Sequence, residues 1–422
     1  MTGFVSILAL LAGSGLLLLA GGLHGLLLPV RGLEEGFSDG DLGLLGAGWA
    51  AGYVAGCLLA PMVVKRVGHI RAFGVLSSLA AISVLLNLLF IEPVFWVVLR
   101  AVSGFCFAGA AMIVESWLNE RATPQNRGKV FGIYTMINLG ATTAGQMLLT
   151  LGDTTGYAFF IIGSIIYSLA LLPTALSTAA TPAPLTQAKL DPVTLWKNSP
   201  IAVVAIFLVG ISNGAFGSLG AVYGKRIGLD VTEIAIMMSL ALLAGAMIQI
   251  PVGFASDRLD RRIVLIAMAV CAMALGGALS LLGGGDPITT IALIGLFGGM
   301  IYSMYPVIVA HASDHADPGD FLKTSGGLLL LFGIGTMVGP IAASLLMSLT
   351  YPGALFQVTA TAHLSMILFA IWRISKRAPV TGEEKTEFVP VIATARPSTP
   401  ETAVLDPRLD ADEARLEQSR DN

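Results

Sequence analysis

The chain consists mainly of long apolar runs separated by short polar or charged breaks. Each run has about 20 residues or more, the length that a helix needs to cross a hydrocarbon core of roughly 30 Å. Lipid offers the backbone no hydrogen-bond partners, so only helices and closed barrels span it, and barrel strands alternate over about 10 residues instead of running continuously. The sequence predicts an all-α integral membrane protein with twelve transmembrane helices, over residues 4–30, 42–64, 73–91, 94–117, 130–151, 157–176, 200–222, 232–254, 263–283, 288–310, 324–348 and 353–374.

The composition supports a bilayer as the solvent. Hydrophobic residues make up 55% of the chain, charged residues make up 12%, and the mean hydropathy is +0.81. Soluble domains contain about 25% charged residues. A charge content this low excludes an ordinary soluble fold.

A polar break divides the spans into two sets of six. Residues 177–199 are rich in Ser, Thr, Ala and Pro and lack an apolar period. The two sets can be superimposed: a shift of 192 places Lys65 on Asp257, and a shift of 194 places Gly145 on Gly339. Internal repeats of this kind are typical of transporters with a substrate site near the midplane.

These breaks predict four parts. An N-terminal six-helix half over 1–176 and a pseudo-symmetric C-terminal six-helix half over 200–375 are joined by a cytoplasmic linker over 177–199. After Lys376 the chain turns to Pro, Thr, Glu, Asp and Arg with little apolar content. We therefore expect a disordered cytoplasmic tail over 376–422.

The basic residues predict the orientation. If the N-terminus is cytoplasmic, the outside loops hold only Arg31, Lys225 and Arg226. The positive-inside rule then places both termini in the cytoplasm. The inside loops hold Lys65, Arg66, Arg71, Arg121, Arg127, Lys129, Lys189, Lys197, Arg258, Arg261, Arg262 and Lys323.

A charged hairpin, GFASDRLDRR, occupies residues 253–262 between two spans. It resembles the signature loop of the major facilitator superfamily, a family of membrane transporters. The matching residues are Gly253, Asp257, Arg258, Arg261 and Arg262, whereas Asp260 stands where the family usually has Gly.

The corresponding loop of the first half, KRVGHIR, departs further from the family pattern. It keeps Arg66, Gly68 and Arg71, but Lys65 replaces the acid. The resemblance implies that both loops belong to a cytoplasmic gate in which Asp257 faces the N-termini of other helices, where the helix dipole favours an anion. The alternative is a charged turn that serves topology alone.

Arg100 is the most informative single residue. An arginine inside a span is costly enough that it should face a cavity or a partner. Arg100 with Gly104 resembles the Arg-x-x-x-Gly motif of the superfamily, which is linked there to proton coupling or to substrate charge. The alternative is that Arg100 snorkels to the outer interface.

His24 is the nearest candidate for a titrating group, since histidine changes charge near neutral pH. A hydrogen-bonded packing role is the alternative for His24. Glu115 lies fifteen residues beyond Arg100, about 22 Å along a helix, so the two cannot pair. We expect Glu115 to meet basic residues at the cytoplasmic gate, such as Arg121, Arg127 or those of a neighbouring loop; a role as proton carrier is the alternative.

Two longer segments narrow the resemblance. ESWLNERATPQNRGKVFGIY, from Glu115, and SGGLLLLFGIGTMVGP, ending at Pro340, resemble the bacterial YcaD-like branch of the superfamily. The fifth helix carries Gly140 and Gly145 but lacks the proline of drug and proton antiporters. The absence of this antiporter signature argues against an efflux transporter. The resemblance to the YcaD-like branch itself implies no substrate.

Polar and aromatic residues that interrupt the spans are candidates for lining a cavity, because intramembrane polar side chains face the bundle interior. Each could equally bond two helices together. They are Trp49, Tyr53, Asn138, Gln146, Asn213, Gln249, Tyr302 and Tyr305.

A second constellation allows a different class of function. His311, Asp314 and His315 would share one helix face, followed by Asp317 and Asp320, in a spacing suited to a divalent metal. The alternative is a solvated loop, which we favour because a metal centre needs further ligands and a pocket. We therefore expect no metal and no cofactor.

Three hypotheses follow: a proton-coupled secondary transporter, a transporter-like receptor or sensor, and a membrane metalloenzyme. No phosphate-binding loop or nucleophile motif is present, so we favour the transporter and expect no enzyme activity. The expected partners are a small-molecule substrate, protons and the lipid bilayer, with no nucleic acid. From the resemblance we expect a monomer in the bacterial cytoplasmic (inner) membrane.

Overall fold

The computed structural model describes residues 2–175, 182, 184–185, 191–282, 285–376, 380, 385–390 and 398–421. Most of the predicted linker over 177–199 lies outside these residues. Across the part of the chain that is described, the secondary structure is helical throughout, without strands.

Twelve described helices have 18 residues or more, and each falls on one predicted span, which confirms the fold class. They are α1 (Thr2–Glu34), α2 (Asp39–Val67), α3 (His69–Leu89), α4 (Pro93–Arg121), α5 (Arg127–Met147), α6 (Ala158–Ala175), α8 (Pro200–Arg226), α9 (Val231–Arg258), α10 (Arg261–Leu282), α11 (Pro287–Ser313), α12 (Phe321–Leu349) and α13 (Ala354–Ile374). Three shorter α-helices are α7 (Pro192–Asn198), α14 (Pro400–Leu405) and α15 (Arg408–Asp421), and a 3-10 helix, Leu148–Leu151, follows α5.

Eleven of the long helices are apolar enough to cross a membrane over their described residues. The exception is α5, whose sequence RGKVFGIYTMINLGATTAGQM carries Asn, Gln and Thr side chains in place of further apolar ones. A helix of that composition needs protein around it, because lipid cannot satisfy its polar groups.

The helices form two compact units. Unit 1 comprises Met1–Ala188 together with Thr399–Pro407, and unit 2 comprises Lys189–Ser398 together with Arg408–Asn422. Each unit therefore contains six of the long helices.

Within unit 1, α1 packs on α5, and α2 packs on α4, through positions without side chains. A Cβ atom added to Gly145 of α5 would overlap the carbonyl oxygen of Leu19 in α1. A Cβ added to Gly52 of α2 would overlap that of Ala101 in α4. Helices in lipid associate through such close backbone approach, since the lipid is as apolar as their side chains.

Unit 2 repeats the arrangement with α8 on α12 and α9 on α11. A Cβ on Gly339 of α12 would overlap the carbonyl oxygen of Ile211 in α8, and one on Gly298 of α11 would overlap Ala241 of α9. Leu19 and Ile211 are 192 positions apart, and Gly145 and Gly339 are 194 apart. The internal shifts seen in the sequence thus correspond to equivalent helix contacts.

The starts of α2 and α9 are also equivalent. Ser38 caps α2 in a capping box with Asp41, and Asp230 caps α9 in a capping box with Glu233. In each box the side chain of the first residue accepts a backbone N–H that the helix leaves unpaired, and the third helical residue returns the bond. The caps fix where both helices begin.

Large apolar side chains cover the outer surface of the spans. Examples are Val98 in α4, Ile165 in α6, Ile263 in α10 and Leu368 in α13, each at least half exposed. Water would penalise so much exposed apolar area, whereas lipid accepts it without cost. The surface agrees with a multi-pass membrane protein.

The end of the chain differs from the disorder predicted for 376–422. Pro400–Leu405 and Arg408–Asp421 are helical, and Thr399 caps the first of them in a capping box with Thr402. Thr followed by Pro is a sequence signal for a helix start, because proline at the first helical position loses no hydrogen bond. The prediction of disorder used the low apolar content alone and did not consider that signal.

We expect Gly145→Ala to destabilise the fold by about 1–3 kcal/mol, because the added methyl group must push α1 away from α5. Gly140→Ala is the matched control on the same helix, since a Cβ there has no heavy atom within 4 Å. Thermal unfolding of the purified variants in detergent measures both. Equal melting temperatures for the two variants would contradict the packing argument.

Candidate functional site

Arg100 lies against an aromatic cluster in unit 1. Its guanidinium carbon is 5.9 Å from the centre of the Trp49 ring, and Trp49 is 5.1 Å from the Tyr53 ring, with Phe107 6.1 Å from Trp49. A cation over an aromatic face is attracted by the ring quadrupole. Three predicted site residues are therefore brought together.

Gly104 explains how this cluster forms. A Cβ on Gly104 would overlap the carbonyl oxygen of Trp49 and lie 2.9 Å from the amide nitrogen of Tyr53. Only glycine lets α2 approach α4 one turn away from Arg100. The Arg-x-x-x-Gly spacing thus combines a charge with the close contact that places aromatic rings beside it.

His24 is buried in α1 and faces α3. The amide nitrogen of Asn87 is 3.4 Å from its Nε2 atom, and the backbone oxygen of Asn87 accepts a hydrogen bond from the Trp96 indole at 2.9 Å. Arg100 is close enough for its charge to act on the His24 ring. The packing partner and the nearby charge leave both interpretations of His24 in place.

Glu115 has neutral partners in place of the basic residues expected at this position. Tyr134 of α5 donates its hydroxyl to Oε1 at 2.8 Å, Thr402 donates to Oε1 at 3.0 Å, and Thr399 donates to Oε2. Asn138 lies one helical turn beyond Tyr134 in α5. The prediction that Glu115 pairs with Arg121 or Arg127 was wrong, because its side chain points to α5 and is only 3% exposed.

In unit 2 the signature loop is built around Arg261. Its Nη2 atom lies 3.5 Å from Asp257, and its Nε atom lies 2.9 Å from Asp314, which directly follows α11. Arg261 and Asp314 are both buried, whereas Asp257 is 42% exposed. Asp314 is thus the main counter-charge of the loop, and Asp257, the residue singled out by the sequence, is the peripheral one.

Burial raises the pKa of Asp314, and the charge of Arg261 and the hydrogen bonds from Thr386 oppose that rise. Thr386 donates its backbone N–H at 2.9 Å and its hydroxyl at 2.8 Å to Oδ1 of Asp314. Arg261 in turn donates to the carbonyl oxygen of Thr386. The charged pair is therefore closed off by a segment of the tail.

Asp260, which replaces the usual glycine of the family loop, holds Arg262. Its carboxylate accepts two bonds from Nε at 3.0 Å and one from Nη2 at 2.6 Å. Burial opposes ionisation of Asp260, but the bonds from Arg262 lower its pKa. The departure from the family pattern thus produces a local clamp. Arg258 is the last residue of α9, two positions before Asp260.

The equivalent loop of unit 1 is simpler. Arg66 lies exposed in the last turn of α2, and Gly68 follows with a φ of 83°. That positive φ is strained for residues with a Cβ, so glycine is required to turn the chain into α3. The identifiable role of this loop is to make the turn between α2 and α3, and not to hold a network of charges.

The remaining candidates for lining a cavity occupy separate places. Gln146 is half-buried in α5, and Gln249 is buried in α9. Tyr302 packs 6.2 Å from Phe216, and Tyr305 donates to or accepts from Ser398 at 2.7 Å. Asn213 is fully buried in α8, and its amide atoms have no hydrogen-bond partner among the described residues.

The residues whose spacing suggested a metal site, His311, Asp314 and His315, make other contacts. His315 Nδ1 lies 2.9 Å from the carbonyl oxygen of His311, and Asp314 turns to Arg261. The described residues contain no group of three His, Cys, Asp or Glu side chains that could hold a metal ion.

The Major Facilitator Superfamily matches residues 10–316 and, again, residues 202–408. The chain belongs to this superfamily. Its two overlapping matches agree with two related halves.

Relatives and solved structures agree with the assignment. The MFS-type transporter YcaD of Escherichia coli O7:K1 is 24% identical over 374 residues, covering 86% of this chain and 95% of that protein, and the MFS-type transporter Ent638_1421 of Enterobacter sp. (strain 638) has the same values. The resemblance to the YcaD-like branch is therefore confirmed.

Two solved transporters share the fold. The nucleoside transporter NupG has a TM-score of 0.72 at 14% identity, covering 88% of this chain and 98% of that one. The D-xylose-proton symporter has a TM-score of 0.63 at 14% identity, covering 91% and 98%.

We expect Asp314→Asn to destabilise the protein by about 3–5 kcal/mol, because Arg261 would keep a buried charge without its main partner. Asp257→Asn is the matched control: it removes a more exposed carboxylate 3.5 Å from the same arginine and should cost about 0–1 kcal/mol. Melting temperatures in detergent compare them. A larger loss for Asp257→Asn would reverse the assignment of the main counter-charge.

Proposed function

We propose that the protein is a secondary active transporter that moves a small organic solute across the cytoplasmic membrane by alternating access, coupled to protons. Superfamily membership and the shared fold of a nucleoside transporter and a D-xylose-proton symporter support this. The observation that carries it is that α4 bears two ionisable residues, Arg100 and Glu115, inside a membrane span. Such residues mark substrate or ion pathways.

In this proposal Arg100 supplies the charge for coupling or for an anionic group of the solute. The Trp49 and Tyr53 rings beside it provide flat apolar surface, which suits a small organic molecule with a few polar groups. His24 is the proton-binding candidate in this proposal, because it lies inside a span and histidine is a side chain that can gain and lose a proton.

The charged loops form the cytoplasmic gate in this proposal. The Arg261–Asp314 pair and the Asp260–Arg262 clamp would be loosened and re-formed as the cytoplasmic side opens and closes. Both termini would then lie in the cytoplasm, as the positive-inside rule requires of loops that carry Arg258 and Arg66. We further propose a monomer in a bacterial inner membrane.

We expect Arg100→Ala to abolish solute uptake into vesicles while membrane abundance stays intact. The matched control is Arg226→Ala, at an exposed arginine in the last turn of α8 and outside the charged loops of the gate. A protonophore should abolish uptake by the wild type. A receptor without net transport would show no uptake even without the protonophore. Wild-type uptake rates in Arg100→Ala vesicles would remove Arg100 from the mechanism.

We expect His24→Gln to shift the dependence of uptake on pH, because glutamine keeps a hydrogen-bonding group beside Asn87 but cannot titrate. His363→Gln, at a fully buried histidine in α13, is the control and should leave the profile unchanged. Identical profiles for wild type and His24→Gln would limit His24 to packing.

A further inference from the structure

The partners of Glu115 are unusual because two of them come from the end of the chain. The carboxylate is buried near the inner end of α4, and Tyr134 of α5 is its one partner from the long helices. The other two donors are the hydroxyls of Thr399 and Thr402, which begin α14. All these residues belong to unit 1.

The two threonine hydroxyls are held as a pair. Their Oγ1 atoms lie 3.3 Å apart, and each accepts a backbone N–H of the capping box, at 3.3 Å for Thr399 and 3.0 Å for Thr402. The acceptor side of each oxygen is therefore occupied within the tail. The hydroxyl hydrogens remain for Glu115, one for each carboxylate oxygen.

A second side chain of α4 forms hydrogen bonds with the same segment at the start of α14. Asn119, one helical turn beyond Glu115, donates its amide to the backbone oxygen of Glu401 at 3.2 Å and to its carboxylate at 3.1 Å. Glu401 is buried. The segment is thus bound by specific polar contacts and not by apolar burial alone.

The geometry defines the chemistry that suits Glu115. An ionised carboxylate only accepts hydrogen bonds, so its ligand must donate. Two adjacent hydroxyls that donate to the two oxygens of one carboxylate are what a vicinal diol presents. When the tail segment leaves, a buried carboxylate loses two of its three donors and requires replacements.

We propose that Glu115 and Tyr134 form a hydroxyl-recognising site, that its ligand is a solute with a vicinal diol, such as a pentose or a ribonucleoside, and that Thr399 and Thr402 occupy the site as an internal substitute. The inference that the diol is a transported solute rests on the proposed function. The site itself rests on the contacts of Glu115. Solute and tail then compete for one carboxylate.

Carbodiimide modification of Glu115, read by peptide mass spectrometry on the purified full chain, tests the site without any transport. Replacing both threonines by the isosteric Val (Thr399→Val with Thr402→Val) removes the hydroxyls, and we expect modification about tenfold faster, as for the loss of hydrogen bonds to a charged group. Thr399→Ser with Thr402→Ser keeps the hydroxyls and should match wild type. Glu115→Gln identifies the modified peptide.

Ligands are then added to the double-Val variant. Uridine and D-ribose should each restore protection, or one alone if the site distinguishes a nucleoside from a free sugar. 2′-deoxyuridine and methyl 2-deoxy-D-ribofuranoside, which are fixed in the five-membered ring and have no vicinal diol, should not. Modification at the wild-type rate in the double-Val variant would overturn the occupancy by the tail. Equal effects of the ribose and deoxyribose forms, including no effect of either, would overturn the diol assignment.

The two proposals fail separately. Protection by uridine or D-ribose without uptake into vesicles would reject transport and keep the site. Uptake that is insensitive to Glu115→Gln, together with absent protection, would reject the site and keep transport.

Discussion

Direct contact between helix backbones is the constraint on which the rest of this structure depends. In lipid there is little hydrophobic gain from bringing two apolar helices together, so stability comes from atoms that fit closely. Gly145 against Leu19 and Gly339 against Ile211 provide that fit at equivalent places in the two units. The charged and aromatic residues acquire their neighbours from the helix positions that these contacts fix.

Three charged residues of the candidate site have different kinds of partner. Arg261 has a carboxylate, Glu115 has three hydroxyls, and Arg100 has an aromatic face. A full ion pair holds its partners strongly, whereas hydroxyls and rings can be exchanged for those of a solute at smaller cost. The Arg261 pair is thus suited to a gate, and the environments of Glu115 and Arg100 are suited to binding.

Much of the fold could be predicted because lipid limits what a chain can do. Length and apolar continuity identified twelve helices. Ser38 and Asp230, which cap equivalent helices, are separated by the same 192 positions as the repeat seen in the sequence. Arg100 was recognised because a charge is rare within a span, and Gly104 because its spacing from Arg100 matches a motif of the superfamily. These features act over a few residues and are therefore visible in the sequence.

The partners of the site residues were harder to predict, since they come from distant parts of the chain. Tyr134 could have been found, because it lies about as far beyond the α4–α5 turn as Glu115 lies before it. Asp314 could have been matched to Arg261, since both lie at inner helix ends under the predicted topology. Thr399 could not, because nothing in the sequence relates a capping box in a polar tail to a carboxylate 284 residues earlier.

The glycine contacts also affect how substitutions in this protein would have to be interpreted. At Gly52, Gly104 and Gly145 a single extra carbon meets backbone, which cannot move aside as a flexible side chain can. Saturation mutagenesis would therefore find these glycines as intolerant of substitution as residues that contact a substrate. Loss of helix packing and loss of a functional group would both reduce activity. Only replacements that preserve the size of the side chain, as Thr→Val does, would distinguish the two causes.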